Sequence, residues 1–395
     1  MSKKKVLLAF SGGLDTSYCV LYLMHEQNLE VHTAIVNTGG FKPVEEQQIE
    51  AHAYKLGAKS HKTIDGTTDF YENIIKYLIF GNVLKNSTYP LSVSAERVYQ
   101  AKALAEYALS IGADYIAHGS TGAGNDQVRF DLVFQLLAPE LEILTPIRDQ
   151  QLSRQAETDY LLQHGIKIDS QVSKYSLNKG LWGTSIGGKE TLTSDQPLPE
   201  EAYGNLLSES EPKTFALSFE KGQPAALNGS EMNPVQIIQQ IEAWATPYAI
   251  GRDMHTGDTI IGIKGRIGFE AAAASILIKA HHVLEKHTLT KWQLYWKDQL
   301  ANWYGMFLHE AQFFDPVMRN IETFLSDSQI NVTGDVNITL HPYRFEILGI
   351  ESKHDLMNPE FGHYGEVNKA WTGEDVKGFV RILANPVKIY QNVNS

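Results

Sequence analysis

Residues 6–17 read Val6-Leu7-Leu8-Ala9-Phe10-Ser11-Gly12-Gly13-Leu14-Asp15-Thr16-Ser17. The five apolar residues that follow Lys3, Lys4 and Lys5 predict a buried parallel strand. A strand that turns on Gly12-Gly13 and enters a helix near Leu14 leaves backbone N–H groups unpaired at the positive end of that helix, where anions bind. The glycines let phosphate approach the backbone, and Ser11, Thr16 and Ser17 add hydroxyl donors. A helix start capped by Ser11, with Asp15 in its first turn, accounts for Ser-Gly-Gly alone. With Asp-Thr-Ser following directly, the reading becomes a phosphate loop.

Two other glycine-rich stretches fail as nucleotide motifs. Gly183-Thr184-Ser185-Ile186-Gly187-Gly188-Lys189 nearly spells a Walker A loop, but Glu190 stands where the magnesium-binding hydroxyl belongs. Gly122-Ala123-Gly124-Asn125-Asp126-Gln127 starts like a dinucleotide fingerprint and lacks its third glycine.

The 395 residues suffice for two or three domains, and 43% apolar with 20% charged residues is ordinary for a globular chain. A net charge of -12 argues against a nucleic-acid partner, which selects a basic face. The single cysteine, Cys19, excludes an internal disulfide and paired-cysteine chemistry and fits a reducing compartment. Ser11-Gly12 cuts the first apolar run below the length of a signal peptide, and no segment is long enough to span a membrane. The chain reads as cytoplasmic.

Outward from the loop, strand-like and helix-like segments alternate over about 165 residues. The helix runs to about Gln27, then Val31–Asn37 is a strand, 44–56 a helix, 62–64 a strand, 95–110 a helix, 115–118 a strand and 152–164 a helix. This predicts an α/β fold, a doubly wound parallel-sheet nucleotide-binding domain over 1–168, whose ligands sit at the carboxyl ends of the strands. A mixed α+β domain over 169–365 follows, with a hairpin around Lys221-Gly222-Gln223 and a helix capped by Asn233-Pro234. Long helices are predicted near 270–287 and 290–314, and strands 330–333 and 336–340 pair around Gly334-Asp335. Thr372 caps a last helix in a tail spanning 366–395.

The segment Gly119-Ser120-Thr121-Gly122-Ala123-Gly124-Asn125-Asp126-Gln127-Val128-Arg129-Phe130 is rich in small and polar groups just past a strand. Thr121, Asn125 and backbone amides suit a carboxylate, Asp126 an ammonium, and Arg129 a second carboxylate, a set that fits an amino acid. Tyr89, Ser94 and Arg97 precede the helix leading there, and Ser176 and Ser185 bracket Asn178 and Trp182. His281, His282 and His287 match no metal spacing and read as a solvated helix face. The aromatic run from Trp292 to Phe307 has helical spacing and reads as core or subunit interface.

The Ser11–Ser17 loop matches that of the N-type ATP pyrophosphatases. Together with 122–130, 175–178, 219–224 and 262–266, it makes the chain resemble the argininosuccinate synthase family. The resemblance implies ATP-dependent ligation of citrulline and aspartate, releasing AMP and pyrophosphate, with Mg²⁺ and no dedicated metal-ligand site. It assigns Ala9, Phe10, Ser11, Gly12, Gly13, Leu14, Asp15, Thr16, Ser17, Val36 and Gly119 to ATP. Thr121, Asn125 and Asp126 go to aspartate, and Tyr89, Ser94, Asn125, Arg129, Ser176 and Ser185 to citrulline. Ser11, Asp15 and Asp126 form the catalytic set, and the implied assembly is a homotetramer. Ala123 stands where many members carry lysine, and Gly257 and Phe269 fall where better-known members place a glutamate and a tyrosine on citrulline. Asp258 is the expected substitute partner for the citrulline ammonium.

Two competing functions share the phosphate loop. A tRNA-modifying ATP pyrophosphatase would carry a basic surface, and its sulfur-transferring forms paired cysteines. A non-catalytic ATP-binding module would leave the amino-acid groups and the second domain unexplained.

Overall fold

The computed structural model describes residues 3–166, 174–357, 360, 364–366 and 370–395. The predicted boundary at 168 lies outside the described residues. In the first part, β1 (Lys5–Ala9), α1 (Leu14–His25), β2 (Glu30–Asn37), α2 (Pro43–Lys55) and β3 (Ser60–Asp65) lead through a helical segment, 67–80, to α3 (Ser92–Ser110). Then come β4 (Tyr115–Ala117), α4 (Asp126–Leu137), β5 (Glu142–Leu144) and α5 (Arg154–Gln163). The five strands are parallel in the order β3-β2-β1-β4-β5. The order reverses between β1 and β4, where a crevice opens outside the strand ends.

The buried strand is explained by period-2 geometry. Val6 and Leu8 face Cys19, Leu23 and Ala117 in one core cluster, whereas Leu7 faces Val98, Leu104 and Ile116 in another. Each such side chain contributes about 1.5–3 kcal/mol on burial, so both faces of β1 hold their helices. That fixes the chain just before Ser11.

The second part contains two antiparallel sheets. β6 (Ser176–Gly180) and β7 (Gly183–Gly187) join β11 (Arg252–Asp258) and β12 (Lys264–Glu270) in the order β11-β12-β7-β6. β8 (Lys213–Glu220), β9 (Gln223–Leu227) and β10 (Ser230–Glu231) join β13 (Gly334–His341) and β14 (Arg344–Glu351) in the order β10-β9-β8-β13-β14. The helices are α6 (Pro234–Ala245), α7 (Ala272–Thr288), α8 (Lys291–His309), α9 (Pro316–Ser328), α10 (Gly373–Leu383) and α11 (Asn385–Val393). Asn233 caps α6 by accepting from the Gln236 N–H at 2.9 Å, and Thr372 caps α10 in the same way.

Several segments differ from the sequence expectation. Glu270 ends β12 instead of starting a helix, and its carboxylate accepts from Arg252 at 2.8 Å. The predicted 290–314 helix stops at His309, where Ala311 turns left-handed (φ 63°) and Asp315-Pro316 starts α9. Residues 330–333 form no strand. Gly334–His341 is instead one continuous strand between β8 and β14, buried at Val336, Ile338 and Leu340. The Walker-like stretch is β7, so no phosphate loop forms there.

His281 is not on a solvated face. It is fully buried, with its ring nitrogens 2.7 Å from Asn82 Oδ1 and 2.8 Å from Gln329 Oε1. Lys297 donates to Glu285 at 2.6 Å in the same cluster, which joins α7 and α8 through polar contacts that periodicity does not encode. Among the described residues, no group of three or more His, Cys, Asp or Glu is placed to hold a metal ion.

Candidate active site

A cleft of about 1010 Å³ opens at the carboxyl ends of β1, β2 and β4 and extends to β6, β11 and β12. Gly12 has φ +77°, Gly13 is the N-cap of α1, and no side chain caps that helix. The first-turn N–H groups of α1 therefore lack a side-chain acceptor, an arrangement that suits an anion. Ser11 is exposed at the loop, and its hydroxyl lies 3.4 Å from that of Thr16. Ser17 differs: it is fully buried, donates to Gly13 O at 2.7 Å and contacts His52 Nε2 at 2.8 Å, so it braces the loop from behind.

Asp15 faces Glu157 of α5. Glu157 is 2% exposed, and burial together with the neighbouring Asp15 carboxylate pushes its carboxyl up to about 8. Its Oε2 has no hydrogen-bond partner. A carboxyl pair made of a half-buried Asp15 and a buried Glu157 suits a cation brought in with phosphate.

The loop after β4 is braced from below. Ser120 N–H donates to His118 Nδ1 at 3.2 Å, His118 Nε2 lies 2.8 Å from Asp131, and Arg148 donates to Asp131 at 2.7 Å. Gln127 donates to Gly122 O and Gly124 O at 2.6 and 3.2 Å. Asn125 Oδ1 accepts from Ile260 N–H at 2.9 Å, which ties the loop to the turn between β11 and β12.

At the start of α4, Asp126 is gripped from two sides: Arg97 Nε donates to Oδ2 at 3.0 Å and Arg129 Nη1 to Oδ1 at 2.9 Å. Burial opposes ionisation of Asp126, yet the two guanidinium groups hold its carboxyl below the usual range. Arg97 also donates to Asn178 Oδ1 at 2.8 Å, and Arg129 to Ser94 Oγ at 3.1 Å and His309 O at 3.1 Å. One ion-pair network thus joins α3, α4, β6 and α8.

Tyr89 is buried, with its hydroxyl 3.2 Å from both Ser92 Oγ and Ser185 Oγ. Its ring stacks on His255 at 5.3 Å and meets Phe269 at 5.4 Å. Asp258 pairs with Lys264 at 2.6 Å and is 70% exposed.

Of the residues singled out in the sequence, Ala9, Phe10, Ser11, Gly13, Leu14, Asp15, Thr16, Val36 and Gly119 line this cleft. So do Thr121, Asn125, Asp126, Tyr89, Ser94, Arg129, Ser176 and Asp258. Gly12, Ser17 and Ser185 stand behind that lining and shape it. Glu96, His118, Gln127, His255 and His309 also line the cleft and were not among the site residues read from the sequence. His118 and Gln127 adjoin the loop motif, so proximity was the available signal; His255 and His309 had none.

The family model described as "Arginosuccinate synthase N-terminal HUP domain" matches residues 5–167, and "Arginosuccinate synthase C-terminal domain" matches 175–390. The chain is 36% identical to the argininosuccinate synthase of Dictyoglomus thermophilum over 97% of this chain and 96% of that one. It is also 36% identical to that of Xanthomonas campestris pv. campestris over 100% of both chains. To that of Methanocaldococcus jannaschii it is 34% identical, over 98% of this chain and 97% of the other. The chain belongs to the argininosuccinate synthase family, whose members are carbon–nitrogen ligases.

Proposed function

We propose that this chain ligates L-citrulline and L-aspartate to argininosuccinate, converting ATP to AMP and pyrophosphate. One observation carries the reading: the uncapped loop at Ser11–Thr16 and the Thr121–Arg129 segment open onto the same cleft. The ureido oxygen attacks the α-phosphorus of ATP and pyrophosphate leaves, giving a citrulline-adenylate. The aspartate amine then attacks the activated carbon, loses a proton, and AMP departs with the oxygen. No covalent enzyme intermediate is required, so positioning and electrostatics supply the rate.

In this reading Ala9–Ser17, Val36 and Gly119 hold ATP, with the loop amides and Ser11 receiving the departing pyrophosphate. Thr121, Asn125 and Asp126 hold aspartate. Tyr89, Ser94, Asn125, Arg129 and Ser176 hold the ureido substrate, Ser185 steadies Tyr89, and Asp258 reaches its amino end after parting from Lys264. The Asp15–Glu157 carboxyl pair fits a Mg²⁺ ion carried by ATP. When bound, Mg²⁺ would neutralise charge on the phosphate oxygens.

The same reading divides the chain at 168 and 365 and makes it a cytoplasmic homotetramer. The assembly is supported by α10 and α11, which bury no residue on this chain and expose Val376, Phe379, Leu383, Val387 and Tyr390. No helix among the described residues is long and apolar enough to cross a membrane.

The test is pyrophosphate release with ATP and Mg²⁺, adding citrulline and aspartate singly and together. Citrulline-dependent release, with argininosuccinate formed once aspartate is present, is the expected result. Release that neither amino acid stimulates would overturn the proposal.

A further inference from the structure

The end of the cleft beyond Tyr89 is short of open carboxylate. Both oxygens of Asp126 are taken by Arg97 and Arg129. Asp258 is held by Lys264 and mostly exposed. Glu96 lies beside the end of β2, where Thr38 at 2.5 Å and Gln100 at 2.8 Å both donate to Oε1 and Oε2 is left without a hydrogen-bond partner. Burial also drives Glu96 toward its neutral form. An α-ammonium beside Tyr89 and His255 would have to take Asp258 from Lys264 or charge the buried Glu96, so its charge would be poorly compensated.

Bases are present instead. His309 is 7% exposed, lines the cleft, and its Nδ1 has no hydrogen-bond partner. His255 is equally buried, lines the cleft, and its Nε2 lies 2.7 Å from where a Cβ on Gly257 would stand, so the imidazole fills the space a side chain at 257 would need. The half-buried Lys85 stands behind the cleft lining, and among the described residues no hydrogen bond or ion pair holds its ammonium. Burial and the Lys85 charge keep the His255 imidazole below its usual range, and burial with the charges of Arg129 and then Lys85 lowers His309 to about 3. Glu310 influences Lys85 but forms no ion pair with it.

Neutral imidazoles and an unpaired ammonium recognise carbonyl and carboxylate oxygens. We propose that the ureido substrate enters with its α-nitrogen acylated, and that the acyl arm, ending in a carboxylate, lies against Lys85, His255 and His309. Acylation removes the ammonium that would compete with Lys264 for Asp258 and supplies acceptor oxygens to the two imidazoles and the Lys85 ammonium. This inference rests on the proposed ligase chemistry; it exchanges the citrulline of that reading for an N-acyl derivative, and the product keeps the acyl group.

The experiment measures pyrophosphate release by the full chain with ATP, Mg²⁺ and aspartate. The acceptors compared are L-citrulline, N-acetyl-L-citrulline and N-succinyl-L-citrulline. The expected order of kcat/KM is succinyl, acetyl, free amino acid, with roughly 10- to 100-fold between the extremes, the scale of one charge-assisted hydrogen bond. Lys85→Met should lower kcat/KM for the succinyl substrate about 10-fold while leaving the acetyl substrate and the KM for ATP nearly unchanged. The pair His255→Ala with Gly257→Glu should shift preference back toward free citrulline.

Citrulline as the best acceptor would overturn the inference and leave the ligase reading standing. An equal loss with all three acceptors in Lys85→Met would also overturn it, since Lys85 would then serve the α-carboxylate common to them. No release with any acceptor would overturn both readings.

Discussion

Arg129 Nη1 donates to Asp126 Oδ1 at 2.9 Å, one turn away on the helix that follows the ligand loop. The pair aims the loop, because Arg129 also holds Ser94 and the carbonyl at the end of α8. Asp126→Asn removes the charge that both guanidinium groups share. The expected cost is about 1–3 kcal/mol of stability, less than for a fully buried pair because the carboxylate is one-third exposed, with kcat/KM falling at least about 100-fold. Thermal denaturation and steady-state kinetics on the same preparation check both; unchanged kcat/KM would remove Asp126 from the site.

Gly12 and Gly165 have nearly the same left-handed backbone, φ 77° and 76°. A Cβ on Gly12 would make only ordinary contact with Ile49 at 3.5 Å, and one on Gly165 would meet nothing within 4 Å. Alanine at either position therefore costs about 1–2 kcal/mol through backbone strain alone. Gly12→Ala should also raise the KM for ATP by relaxing the loop, whereas Gly165→Ala should lower the Tm alone. Equal KM values for ATP in the two variants would show that the Gly12 turn does not shape the phosphate site.

Glu242 carries a pH dependence outside the cleft. Burial, opposed by the Ala273 N–H that donates to it at 2.8 Å, pushes its carboxyl up to about 7. Unfolded, it ionises near 4.5. Between these values the folded chain binds more proton than the unfolded chain, so Glu242 weakens stability as pH rises through this window. Glu242→Gln should raise the Tm at pH 8 by a few degrees while changing it little at pH 4.5, measured by calorimetry. A variant less stable than the parent at pH 8 would contradict the sign.

Helices α10 and α11 bury nothing on their own chain. Deleting residues 366–395 should therefore leave the midpoint of core unfolding nearly unchanged at low protein concentration while reducing the assembly mass in sedimentation. Trp292, Trp296 and Trp303, 63%, 57% and 57% exposed on α8, offer a fluorescence reading of that change. An unaltered mass would assign assembly to another face.

The first domain was legible because its signals are local. An apolar run between lysines and glycines can be little else than a buried strand ahead of a tight turn, and Gly12 must take the positive φ that no side chain favours. That both motifs would line the cleft was likewise legible, since each lies within a dozen positions of a strand end. Beyond residue 170, strands β11 to β14 are paired through long-range registers, and the 330–340 hairpin read from turn chemistry gave way to one buried strand between two neighbours.

Sequence alone determined the strand-loop-helix proposed to meet phosphate and the residue types offered to an amino acid, because turn conformation and helix-end charge are set over a few consecutive residues. The tertiary structure alone decided which polar groups remain free. Asp126 is shared between two arginines, Asp258 is taken by Lys264, and His255 and His309, 54 positions apart in the chain, line one cleft within electrostatic reach of Lys85. Whether a carboxylate or a base is open to a ligand depends on which distant partner reaches it first, and that is settled only when the sheets and helices pack.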